Sequence, residues 1–181
     1  MQKIVREKYQ LPNDAVLFLF NGALGYAPNY EALEFIIDKV NPALLKESGF
    51  DYRIMICGKG LPERFNELKG YANRKIVYAG FVDDIEPYFI AADIFFNPVV
   101  KGGGIKTKLV EAIGYNNTVV SCVSGAAGID KKVCGEKLFI VADNDASSFV
   151  AAIYQALQSR ANTPPEYYDA YYWGSIVKKV K

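Results

Sequence analysis

Apolar residues along this 181-residue chain come in short unbroken runs. "AVLFLF" (15–20), "RIMIC" (53–57), "KIVYAG" (75–80), "DIFFNP" (93–98), "TVVSC" (118–122) and "LFIVA" (138–142) read as strands. A strand with one wet face alternates apolar and polar residues, whereas a strand covered on both faces does not. Continuous runs therefore predict a parallel sheet with helices on both sides. Between them, apolar residues at helical spacing predict helices over 29–40, 63–71, 85–91, 105–114 and 147–158. Pro28 precedes the first of these, and Asn29 is its expected cap. The β-α-β-α order predicts an α/β, Rossmann-like, doubly wound parallel sheet of about six strands.

The two ends depart from that rhythm. Residues 1–14 form a charged lead-in that closes on "LPND", a turn signal before the first strand. After Arg160, "ANTPPEYY" breaks the last sheet-covering helix, and an aromatic, helical tail around Trp173 follows. This divides the chain into a domain over 1–165 and a tail over 166–181. The tail either closes its own domain or presents its rings to a surface encoded elsewhere.

Composition narrows the chemistry. A length of 181 residues with 51% hydrophobic content suits one core. A net charge of +1 argues against nucleic acid or a membrane surface as a broad partner, but leaves room for one local anion site. No apolar run reaches the ~18 residues of a membrane span, and the polar start is unlike a signal peptide. Cys57, Cys122 and Cys134 are odd in number and form no C-x-x-C spacing, so a reducing, cytoplasmic setting is expected. Histidine is absent, which removes triads and metal sites built on it.

In a doubly wound sheet the loops after the strands carry the ligand. The first holds Asn21, Gly22 and Gly25. The second, "CGKGLPE", opens like a dinucleotide fingerprint but has Glu63 where Gly or Ala is needed, and it follows the second strand. "KGGGIKTKLVEAI" (101–113) is the strongest signal. Its Ile105 stands where a P-loop requires glycine, so it is no P-loop. Yet Gly102, Gly103 and Gly104 expose amides at a helix start, and Lys106 and Lys108 add cations where the helix dipole is already positive. An anion resolves that conflict. Thr107 and Glu111 share a helix face at i,i+4, with Glu111 about 12 Å along a helix from Gly103 at 1.5 Å per residue. A plain surface helix with a Lys108–Glu111 pair is the competing reading.

Taken together, "REKYQLPNDAVLFLFNGALGYAPNYEALEFI", "RIMICGKGLP", "IVYAGFVDDIEPYFIAADIFFNPVVKGGGIKTKLVEAIGYNNTVVSC" and "LFIVADNDASSFVAAI" resemble the C-terminal, donor-binding domain of GT-B glycosyltransferases, family 4. The resemblance implies one half of a GT-B fold and a nucleoside diphosphate-sugar of UDP or GDP type as donor substrate. It also implies retention of configuration, with no further cofactor and no dissociable metal. Glu111 matches the second glutamate of the E-x7-E motif, which contacts the ribose; the first falls at Gly103 and is lost. The Arg and Lys that usually follow the first strand are missing, so Lys106 is their expected replacement at the diphosphate. Phe81 and Val82 lie in "GFVD", which matches the segment whose backbone reads the nucleobase.

The expected site is thus Gly22, Phe81, Val82, Gly102, Gly103, Gly104, Ile105, Lys106, Thr107 and Glu111, with Lys106 and Glu111 closest to the chemistry. The resemblance makes residues 1–14 a linker from a missing N-terminal acceptor domain, and the aromatic tail a helix crossing back to it. Any membrane association is assigned to that missing half. A non-catalytic nucleotide-binding or interaction module and half of a two-domain sugar epimerase stay open as alternatives.

Overall fold

The computed structural model describes residues 2–171. Its centre is one sheet of six strands: β1 Val16–Asn21, β2 Tyr52–Cys57, β3 Ile76–Gly80, β4 Ile94–Asn97, β5 Thr118–Cys122 and β6 Leu138–Val141. All neighbouring pairs are parallel, in the order β3-β2-β1-β4-β5-β6. Every predicted run is a strand, with ends within a residue or so.

The reason for the unbroken apolar runs is visible in β1. Phe18 and Phe20 face one core, with Leu33, Ile36, Phe96, Phe149 and Ile153. Leu17 and Leu19 face the other, with Phe89, Phe95, Leu109, Ile113 and Tyr167. Phe18 stacks on Phe96 across the strands at 4.8 Å between ring centroids, which ties the centre of the sheet together.

The helices are α1 Gln2–Lys8, α2 Ala27–Phe35, α3 Asn41–Glu47, α4 Glu86–Ala91, α5 Thr107–Gly114, α6 Lys131–Cys134, α7 Ala146–Gln158 and α8 Pro165–Tyr171. A π-helical turn, Ile36–Val40, joins α2 to α3. Four sequence expectations need correction. The helix expected from residue 29 begins earlier: Tyr26 is the N-cap and Pro28 sits in its first turn, so Asn29 is no cap. The stretch 63–71 is instead a 3₁₀ segment, Glu63–Arg74, interrupted where Asn66, Glu67 and Leu68 take positive φ. Only Leu68 in it is buried, so little apolar contact enforces a regular helix. The helix expected from residue 105 starts at Thr107, with Lys106 extended as its N-cap; Ile105 is left 47% exposed in the loop rather than in the apolar stripe. Gly103 to Glu111 is therefore partly loop and not eight residues of continuous helix.

The fourth correction concerns the lead-in. It holds a helix, α1, that lies against α4. Val5 is buried, Tyr9 meets Tyr88 hydroxyl to hydroxyl at 2.9 Å, and Arg6 Nη1 donates to the Pro12 and Ala15 carbonyls, each at 2.9 Å. At the other end, α8 packs on its own domain. Tyr167 is buried and its hydroxyl donates to the Val110 carbonyl at 2.7 Å, while Tyr171 Oη accepts from the Asp130 amide at 2.8 Å. Trp173 and the rest of the expected tail lie outside the described residues.

Candidate functional site

Strand order decides where a crevice forms. The chain winds outward from β1 through β2 to β3, then returns to add β4 beside β1. The loops after β1 and β4 consequently leave their strands in opposite directions, and space opens between them. That space is a cleft of about 360 Å³, lined on one side by Asn21 at the end of β1, Gly22 and Tyr26 of the first loop and Asn29 of α2, and on the other by Lys101 to Gly103, Ile105 and Lys106 of the second loop with Thr107, Lys108 and Glu111 of α5.

The glycine loop is shaped by backbone needs. Gly102 and Gly104 have φ of +90° and +72°, which other residues rarely adopt. Gly103 does not, and a Cβ there would meet nothing within 4 Å. Neither the backbone nor the space at Cβ requires glycine at this position. Lys106 folds back, donating to the Gly102 carbonyl at 2.6 Å and to that of Gly103 at 3.3 Å. Lys101 is paired with Glu31 at 2.8 Å.

Lys108 differs from both. Its half-buried Nζ lies 4.8 Å from the centre of the Phe20 ring and donates to Asn29 Oδ1 at 2.7 Å. Burial, and secondarily the charge of Lys106, pulls its pKa down to about 7. The Lys108–Glu111 pair of the competing reading does not form; Lys108 turns inward to Asn29. Glu111 stands at the open side of the cleft, where partial desolvation raises its pKa.

A second cleft of about 330 Å³ adjoins the first through Asn21 and Gly22. It is lined by Gly58, Lys59, Phe81, Val82, Asp83 and Ile85. Phe81 is 64% exposed, with Lys59 Nζ 5.7 Å from its ring centre. Three loops are laced together here: the amides of Gly22, Leu24 and Gly58 donate to the carbonyls of Cys57, Lys59 and Gly80 at 2.7 to 3.1 Å. This explains "CGKG" without a dinucleotide. A Cβ on Gly58 would land on the Gly22 carbonyl, and one on Gly60 would come within 2.9 Å of the Gly25 amide.

The structure thus gathers the predicted residues into two adjoining clefts. Gly22 belongs to both, Phe81 and Val82 to one, and Gly102, Gly103, Ile105, Lys106, Thr107 and Glu111 to the other; Gly104 lies in the same loop. Asn29, Lys59 and Tyr26 were missed. Asn29 carried a signal misread as a cap, and nothing local marks the other two.

The chain matches the family described as glycosyl transferases group 1 over residues 15–159. It is 29% identical over 146 residues to an uncharacterized 44.6 kDa protein in the cps region of Klebsiella pneumoniae, covering 76% of this chain and 36% of that one. Solved structures, among them the following three, share its fold at low identity. A glycosyltransferase from Rickettsia africae aligns with TM-score 0.70 at 18% identity over 89% of this chain and 42% of its own. Sucrose-phosphate synthase from Thermosynechococcus elongatus gives 0.71 at 16%, over 98% and 47%. Anabaena HepE in complex with UDP and glucose gives 0.74 at 14%, over 99% and 50%. This chain spans half or less of each relative's length. With most of its length matched by one family, the chain belongs to glycosyl transferases group 1.

Proposed function

We propose that this chain is the donor-binding half of a retaining glycosyltransferase, which transfers a sugar from a nucleoside diphosphate-sugar to an acceptor held by an N-terminal domain. The observation that carries this reading is the pairing of two unlike clefts across Asn21 and Gly22. One offers backbone amides and lysines to phosphates. The other offers the Phe81 ring to a base. A nucleoside diphosphate has the same two parts in the same sequence, and the fold is shared with a protein crystallised with UDP and with UDP-glucose.

In this reading the diphosphate rests against the amides around Gly102 to Ile105 and the Lys106 ammonium, while Glu111 accepts hydrogen bonds from the ribose. The base lies on Phe81 beside the Val82 backbone. Bond cleavage loads negative charge on the departing diphosphate, and fixed dipoles and cations already aimed there lower the barrier. The leaving phosphate takes the acceptor proton, so this half supplies no general base. Glycine at position 103 favours a second reading, a nucleotide-binding module without transferase activity, since one sugar contact is lost.

Thermal shift with UDP and GDP in EDTA tests the proposal. Stabilisation without divalent metal is the expected result; a shift that appears only with magnesium overturns the metal-free site, and none under either condition overturns nucleotide binding itself.

A further inference from the structure

Lys108 is a half-buried amine at a cleft wall, with no carboxylate paired to it among the described residues. The groups facing it are the Phe20 ring from β1, the Asn29 amide oxygen from α2, and Lys106 from its own helix end. Lys101 is held by Glu31, and Glu111 makes no contact with Lys108. Buried charge is normally paired, because desolvation without a counter-ion is expensive. Asn29 is a neutral acceptor, suited equally to an amine and an ammonium. Its position is enforced: its Nδ2 donates to the Ala23 carbonyl at 3.1 Å, and a Cβ on Gly22 would come within 2.8 to 3.0 Å of its amide group. So the first loop and α2 lack a basic residue of their own, but α2 supplies the bracket that aims one from α5.

We propose that Lys108 is mostly uncharged above neutral pH in the free protein and takes up one proton from solvent when the donor diphosphate arrives, becoming its counter-ion at the cleft wall. This rests on the donor-binding reading above. Partial burial, and secondarily the Lys106 charge, lower the Lys108 pKa toward neutrality. A dianionic neighbour raises it again, so binding and protonation are linked. Above neutral pH, affinity then falls by up to about tenfold per pH unit, the limit for one linked proton.

Titration calorimetry of UDP and GDP at pH 8, in buffers of different ionisation enthalpy, counts the protons. At that pH the nucleotide phosphates have none left to exchange. The expected result is uptake of close to one proton per nucleotide bound. Lys108→Met, which places an apolar chain of similar length on Phe20, should bind at least about tenfold more weakly with no uptake. Lys108→Arg should bind with no uptake because arginine is charged throughout, and Glu111→Gln should keep the uptake. Wild-type binding without uptake, or equal uptake in Lys108→Met, overturns the inference while leaving the donor site intact. Absence of any nucleotide binding by the wild type overturns both.

Discussion

The two clefts share Asn21 and Gly22, yet they were built by different means. The cleft beneath Phe81 is made of three loops laced by backbone hydrogen bonds, and its glycines are dictated by close approach. The cleft beside α5 is held open by strand order, and its character comes from three lysines with three different fates. Lys101 is paired, Lys106 folds onto its own loop, and Lys108 turns inward onto Phe20 and Asn29. Equal charge in a sequence is therefore not equal charge in a site. Asn21 and Gly22 are the wall common to both clefts.

The largest expected effect concerns what neither cleft provides. An acceptor must be held about 3–3.5 Å from the sugar carbon, and a single wall cannot do that. The isolated chain should bind nucleotide but transfer no sugar, with turnover restored on mixing with a separately expressed N-terminal domain and a labelled donor. Full activity of the chain alone would break the half-enzyme reading, and none on mixing would favour the non-catalytic one.

Next is the shared wall. Gly22→Val would displace Asn29 and narrow both clefts, so affinity for UDP and for inorganic pyrophosphate should fall together, by about a hundredfold or more, equivalent to some 2.7 kcal/mol. Loss of one alone would show that the clefts act separately.

Smaller effects should separate the clefts. Glu111→Gln should weaken UDP by roughly 1.5–3 kcal/mol, the worth of hydrogen bonds to a charged group, yet spare pyrophosphate. Phe81→Ala should cost about 1–3 kcal/mol of stacking, also without touching pyrophosphate. Competition titrations with both ligands give the answer. Because desolvation raises the Glu111 pKa, UDP affinity should also decline as pH falls through that raised value, and Glu111→Gln should lose that part of the decline, keeping only the part due to protonation of the nucleotide phosphate. The smallest effect belongs to Lys106→Ala. Its exposed ammonium is screened by salt, so a few-fold loss at low ionic strength should shrink at high salt.

The sequence by itself determined the six strands, their parallel pairing and most of the residues that meet at the cleft. Each of these follows from local information: an apolar run has no polar face to give to water, and a glycine triplet before a helix leaves its amides bare. Strand order was not local. It placed β4 beside β1 and so made loops far apart in the chain into one crevice. The same holds for Lys106 and Lys108, which read alike in the sequence. Only the packing of α5 on the sheet sent one to the surface and the other to Asn29, 79 residues away. Helices α1 and α8 gained their places likewise, through tyrosines that find partners across the domain. Periodicity reports which face of an element is apolar; what that face, or a buried charge, will meet is fixed only when the elements pack.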